Sequence, residues 1–335
     1  MRSLTHPFLL AVCGLLSVQA EELPNNSTGE VTFENARETL PSNITGEFNQ
    51  TEEVTFEDVR ESLPKNYTGQ GGEPGPKYFK ESSFHYHYDG RFAESTLPEE
   101  ETLPHLSALI QTYLSTMADL GAETWIMHGS LLAWWWNQRI FPWDNDLDVQ
   151  ISEPTIHFLA DYYNMTEHHF DLPDVEGGRT YLLEINPNYV VRSKMDKANV
   201  IDGRWIDTSS GLFIDITAVR ADDASRANGK PGALMCKDRH NYDESEIFPL
   251  RNSYFEEVPA KIPYAYTKLL QDEYGSKALS NTNYQGHHFN EQTSIWDKIK
   301  NSKMLSRRRN VSKIPVRTTP LKRLYGSWTP DDNTN

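Results

Sequence analysis

The stretch HGSLLAWWWNQRIFPWDNDLDVQ, His128 to Gln150, decides the fold. A Gly129-Ser130 turn precedes a short apolar segment, an aromatic loop runs to Pro142-Trp143, and carboxylates follow at alternate positions, Asp144, Asp146 and Asp148. With Leu147 and Val149 pointing into a core from one face of a strand, Asp146 and Asp148 point together from the other. Carboxylates held that close repel and raise each other's pKa, and a bound cation is the simplest compensation. The pattern predicts a divalent-metal site.

The plain structural alternative is an Asp-rich capping or solvated turn. An EF-hand fails, because Val149 stands where that loop needs Gly and Thr155 where it needs a bidentate Glu. A glycosyltransferase-type Asp-x-Asp accounts for the carboxylates but not for the Gly-Ser turn. A further carboxylate, Asp215, stands alone in the apolar run Leu212 to Thr217. A charge in such a run is rarely buried without a partner. By spacing alone it is a strand-end residue or the partner of an arginine such as Arg204 or Arg220.

On these residues the segment resembles the core of the LicD/fukutin-related family, a branch of the DNA-polymerase-β-like nucleotidyltransferase superfamily whose pattern is Gly-Ser or Gly-Thr followed by Asp-hydrophobic-Asp-hydrophobic. It is most similar to fungal members related to the mannosylphosphate-transfer regulators of cell-wall mannan. The similarity runs from about Tyr78 to about Trp296, through HYDGRF (His87 to Phe92), WIDTSSGLFIDITAVR (Trp205 to Arg220), IFPLR (Ile247 to Arg251) and EYG (Glu273 to Gly275). The resemblance implies an α+β fold, a polymerase-β-like nucleotidyltransferase core with a mixed sheet and flanking helices. It selects Asp215 as the third acid beside Asp146 and Asp148, a catalytic triad holding Mg²⁺ or Mn²⁺, and it turns Gly129 and Ser130 toward the donor's phosphates. Gly permits close backbone approach there, and N–H groups and a hydroxyl bind oxygen anions. Arg139 is a candidate for balancing donor charge and Trp143 for stacking on a base or sugar. Asp144 is expected to orient the metal's ligands and Asp207 to support the loop before the Asp215 strand.

The expected function is a metal-dependent phosphotransferase of the secretory pathway. It would move a phospho-sugar or phospho-alcohol from a nucleotide-diphosphate-linked donor, such as GDP-mannose, to a glycan or glycoprotein hydroxyl; nucleic acid is not an expected partner. The alternative is a non-catalytic regulator or scaffold of mannosylphosphate transfer with the same fold. The chain departs from its fungal relatives at glycines. They usually read Gly-Thr-Leu-Leu-Gly, with Gly after Trp-Asn and after Phe-Glu, where this chain has Ser130, Ala133, Gln138 and Glu257. Every carboxylate is retained.

Residues 1–20 read as a secretory signal, with Arg2, an apolar run from Phe8 to Val18 and a small-residue cleavage site. That run is short for a membrane span, so a lumenal (Golgi or ER) or secreted chain without a transmembrane helix is expected, with an uncleaved anchor as the alternative. Cys13 lies in the signal, which leaves Cys236 alone and no intramolecular disulfide. Residues 21–76 contain an internal repeat: EVTFENARETLPSNITGE (Glu30 to Glu47) matches EVTFEDVRESLPKNYTGQ (Glu53 to Gln70) at 12 of 18 positions. The segment has 12 acidic residues against 3 basic ones, 9 of the chain's 16 excess negative charges, and reads as a disordered acidic stalk. Its repeated Asn-x-Thr acceptors, at Asn26, Asn43 and Asn66, fit a secreted glycoprotein.

Globular sequence is expected over 77–296. Leu106 to Leu120 has helical spacing and stops at Gly121, Thr124 to Met127 reads as a buried strand, and Ser152 with Pro154 opens another helix. His85-x-His87, His168-His169 and His287-His288 lack the cysteines and spacing of a structural zinc site. Residues 297–335 form a basic tail, with 10 Lys or Arg and no acid from Lys298 to Arg323. It is expected to be solvated and flexible.

Overall fold

The computed structural model describes residues 45–48, 54–63, 76–173 and 175–299. The signal sequence, much of the stalk and the basic tail beyond Ile299 lie outside these residues.

In chain order the first elements are strand β1 (Thr45–Phe48), helix α1 (Phe56–Val59), helix α2 (Glu99–Asp119), strand β2 (Thr124–Ile126), helix α3 (His128–Asn137), strand β3 (Leu147–Ser152) and helix α4 (Glu153–Tyr162). Strands β4 (Thr166–Asp171), β5 (Arg179–Ile185), β6 (Gly203–Asp207) and β7 (Phe213–Ala221) follow, then helix α5 (Asp223–Ala227), strands β8 (Ala233–Met235) and β9 (Asn241–Asp243) and helix α6 (Glu244–Ile247). The last part is the hairpin β10 (Arg251–Phe255) and β11 (Val258–Ile262), helix α7 (Tyr266–Tyr274), and a small sheet of β12 (Asn283–Tyr284), β13 (His287–Asn290) and β14 (Ile295–Lys298).

The main sheet runs β1-β4-β5-β6-β7-β3-β2, with β8 and β9 added beside β7. β3 and β7 pair in parallel, and the other pairs are antiparallel. This is the expected mixed sheet with flanking helices. A parallel pair needs a crossover, and here α4 followed by β4, β5 and β6 makes the connection from β3 to β7.

α2 forms where the spacing predicts. Leu106, Leu109, Ile110, Tyr113 and Met117 are fully buried, and Glu99, Glu100 and Glu101 complement the dipole at its start. Past its end Gly121 takes φ 64°, and Ala122 N–H closes on Met117 O at 2.8 Å, the left-handed stop glycine allows. Ser152 is the N-cap of α4, but its hydroxyl meets the Thr155 hydroxyl at 2.9 Å rather than a helix amide.

The Gly129-Ser130 turn and the aromatic loop are corrected. Gly129 and Ser130 are in the first turn of α3, and Trp134, Trp135 and Trp136 belong to the same helix. Nothing from Leu131 to Asn137 breaks a helix, and buried Leu131 and Ala133 anchor it to the core.

The stalk is corrected at two places. β1 pairs antiparallel with β4, Thr45 opposite Asp171 and Phe48 opposite His168. In the second repeat, Thr55 and Asp58 form a capping box, Val54 N–H donates to Tyr163 Oη at 2.9 Å, and Phe56 packs edge-on against Phe158 at 5.4 Å. Leu63 is buried in the main core. Average composition hid this because Val54, Phe56, Val59 and Leu63 are few, but their spacing places them on one side of a single turn.

Candidate active site

Asp148 lies on β3 directly beside Asp215 on β7, and parallel register sends both side chains from the same face of the sheet. Leu147, Val149 and Ile151 are buried in the core, as the alternation required. Asp144 and Asp146 stand in the turn leading into β3, so the strand's first residues and its neighbour gather the carboxylates.

Each acid is held by its surroundings. The Ser130 hydroxyl accepts the Asp148 backbone N–H at 3.0 Å, fixing the strand against the start of α3. Arg204, opposite Asp215 on β6, donates Nε–H to Asp215 Oδ1 at 2.8 Å, and its guanidinium lies 3.6 Å from the Phe213 ring centroid. Of the two arginines the spacing allowed, Arg204 is therefore the partner; Arg220 is bound to Asp202 and Glu153 instead. Burial pushes the Asp148 carboxyl well above the usual carboxylate range, and the charges of Asp146, Asp215, Glu273 and Asp144 add to it. Burial does the same to Asp144, helped by the charge of Asp146 and a hydrogen bond between the two carboxyls. Carboxyls crowded and buried in this way mark a place where a cation fits. The all-oxygen donors suit a hard cation such as Mg²⁺ or Mn²⁺.

Three of these acids border a cavity of about 370 Å³, and neither Asp215 nor Ser130 is among its lining residues. Gly129, Asp144, Asp146 and Asp148 line one side; Trp136, Phe141 and Trp143 line another, with Tyr284 and Trp296 from the small C-terminal sheet. Trp143 stacks on Phe141 at 4.7 Å and meets Trp296 edge-on at 5.0 Å, a pre-packed aromatic wall. The N-cap of α3, Met127, makes no side-chain cap hydrogen bond, and the first turn of the helix meets the cavity at Gly129. A Cβ on Gly129 would meet nothing nearer than Asp144 Oδ2 at 3.8 Å.

Two expected residues are elsewhere. Arg139 turns to Glu257 and Glu256 beside the β10–β11 hairpin and is not among the cavity's lining residues. Asp207 is fully buried and accepts from Ser209 N–H at 2.8 Å, from both the Ser209 and Ser210 hydroxyls, and bonds to His105, so it supports its loop.

Sequence reasoning missed a histidine and glutamate cluster behind the acids. His128 Nδ1 lies 2.9 Å from Glu273 Oε1, and the His240 ring packs on His128 with centroids 4.3 Å apart. Burial lowers the His128 pKa, but the Glu273 charge outweighs it and the net shift is upward; burial takes His240 down to about 4. It also missed His87, whose Nε2 is 3.8 Å from Asp146 Oδ2. The only signal was that His87, His128 and Glu273 lie in HYDGRF, HGS and EYG; His240 lies in none of them.

The lost glycines have a backbone explanation at two sites. Gln138 holds φ 60° at the end of α3, and Glu257 holds φ 69° in the β10–β11 turn. Glycine in the relatives thus serves the left-handed region there, and neither position lines the cavity.

Fold and site together define a mixed α/β domain with an acidic centre. Residues 121–265 match the family described as "LicD/FKTN/FKRP, nucleotidyltransferase domain". The chain is similar to Mannosyltransferase regulator 4 of Saccharomyces cerevisiae, 33% identical over 143 residues, covering 42% of this chain and 12% of that protein. It is also similar to Mannosyltransferase regulator 14 of the same yeast, 29% identical over 208 residues, covering 55% of this chain and 21% of that protein. The chain thus spans about a fifth or less of the length of these relatives. No helix among the described residues is long and apolar enough to cross a membrane.

Proposed function

We propose that the chain is a metal-dependent phosphotransferase of the secretory pathway, moving a phospho-sugar or phospho-alcohol from a nucleotide-diphosphate-linked donor to a mannan-type glycan. The observation that carries this reading is the side-by-side placement of Asp148 and Asp215 on parallel strands, with Asp144 and Asp146 at the head of β3 and the cavity in front. Asp146, Asp148 and Asp215 would hold Mg²⁺ or Mn²⁺. The ion would neutralise the diphosphate and activate the acceptor hydroxyl. The α3 N-terminus offers backbone N–H groups to phosphate oxygens, and Gly129 leaves room for them. The aromatic wall excludes water and gives a base or sugar a face to stack on. Arg204 holds Asp215 in place through its Nε–H.

A regulatory reading is favoured by the printed names of the two yeast proteins, both mannosyltransferase regulators. One assay separates the two. With Mn²⁺, a mannan-type acceptor and a panel of GDP-, CDP- and UDP-linked donors, the enzyme releases a nucleoside monophosphate from one donor, and Asp215→Asn abolishes release while the fold survives. A regulator turns over none of them, and its binding or genetic phenotype survives Asp215→Asn.

A further inference from the structure

We propose that His128, His240 and Glu273 form a second cation site, one that takes a borderline transition metal of the Zn²⁺ class, separate from the oxygen-only site of the aspartates. The three residues come from the start of α3, the loop between β8 and β9, and the end of α7. Each offers one ligand atom, and these atoms lie within 4.8 Å of one another. His128 Nδ1 to Glu273 Oε1 is 2.9 Å, and His240 Nε2 to the same oxygen is 4.0 Å. Ligands about 2.0–2.1 Å from a tetrahedral zinc ion stand about 3.3 Å apart, so the observed separations bracket the required one.

The remote nitrogen of His240 carries the second argument: His240 Nδ1 faces Cys236 Sγ at 3.7 Å. Metal-binding imidazoles are commonly fixed through their remote nitrogen in this manner, which leaves the other one aimed at the ion. A bare imidazolium–carboxylate pair explains His128 and Glu273 but gives His240 Nε2 no reason to turn toward the same oxygen. The donor set differs from that of the aspartates: two nitrogens with one carboxylate suit Zn²⁺, whereas carboxylates alone suit Mg²⁺ or Mn²⁺. Three protein ligands leave a fourth tetrahedral position. The chain neighbours Gly129 and Tyr274 line the cavity, so the site adjoins it.

The test uses the full chain and Co²⁺ or Zn²⁺ alone. In the Asp146→Asn, Asp148→Asn double variant, one equivalent of Co²⁺ should still bind and give the strong visible absorption of a four-coordinate nitrogen–oxygen site. His240→Ala in that background should lose the band and weaken binding at least tenfold, and Glu273→Gln should do the same. X-ray absorption of wild-type protein loaded with one equivalent of Zn²⁺ should show two imidazoles, a reading that does not depend on any variant folding. Co²⁺ binding unchanged by His240→Ala, or a zinc shell of oxygens alone, overturns the proposal. Loss of the band in the aspartate double variant would place the ion among the aspartates and overturn it too, leaving the phosphotransferase reading intact.

Discussion

Asp148 and Asp215 are register partners on adjacent parallel strands, 67 positions apart in sequence and neighbours in the sheet. Burial and mutual charge make this pair costly without compensation. Arg204 compensates one of the two directly. A cation is the remaining counterweight, and it sets the first expectation.

Mn²⁺ or Mg²⁺ should raise the melting temperature of the wild-type chain, by about 2.7 kcal/mol of stability at one hundred times the dissociation constant. The Asp146→Asn, Asp148→Asn double variant should lose that response yet be no less stable without metal, since a like-charge cluster has been relieved. Thermal melts with and without metal decide this, and an undiminished response in the variant sinks the aspartate assignment.

Arg204 is fully buried between Phe213, Asp215 and Glu81. Replacing it by Met takes the guanidinium from Asp215, while Glu81 keeps Lys77, and should cost about 3–5 kcal/mol in urea melts. A loss under 1 kcal/mol would mean that solvent reaches Asp215 well enough to replace the arginine.

The second repeat clasps the domain through Phe56 on Phe158 and through buried Leu63. Composition alone predicts that deleting residues 21–76 leaves stability unchanged; the contact reverses that expectation. Phe56→Ala in the otherwise intact chain should cost about 1–3 kcal/mol. Coincident urea curves for wild type and variant would show that the repeat adds nothing.

Gln138 adopts a left-handed backbone, which costs an L-residue about 1–2 kcal/mol. Gln138→Gly should therefore stabilise the chain by up to about 1 kcal/mol, the unfolded-state entropy of glycine offsetting part of the relief. A clear loss of stability would show that the Gln138 side chain contributes more than its backbone strain removes.

Burial drives the His168 imidazole down to about 4. Its folded pKa lies below the unfolded value near 6.5, so the unfolded chain takes up the proton first. Stability from neutral His168 is complete above pH 6.5 and is lost as pH falls toward 4, a loss of about 3–3.5 kcal/mol at 1.36 kcal/mol per pKa unit. His168→Gln should flatten the stability profile in that window; parallel profiles for the two proteins would refute the assignment.

Local pattern determined a good part of this protein by itself. Alternation at Leu147, Asp148 and Val149 identified a strand carrying an acid opposite its core face, with Asp146 just before its first residue, since strand periodicity is a property of neighbouring residues. Apolar spacing with Gly121 fixed α2 and its end for the same reason. What tertiary structure decided is which distant residues meet. Asp215 joins Asp148 only because α4 leads to β4 and the antiparallel run β4-β5-β6-β7 brings the chain back beside β3, and its arginine is Arg204 rather than Arg220 because β6 sets the register. His128 and Glu273 touch across 145 positions, and Trp296 reaches Trp143 from a separate small sheet. The clasp of the second repeat was hidden likewise, because four apolar side chains in an acidic stretch form a docking face only against a surface that other elements build.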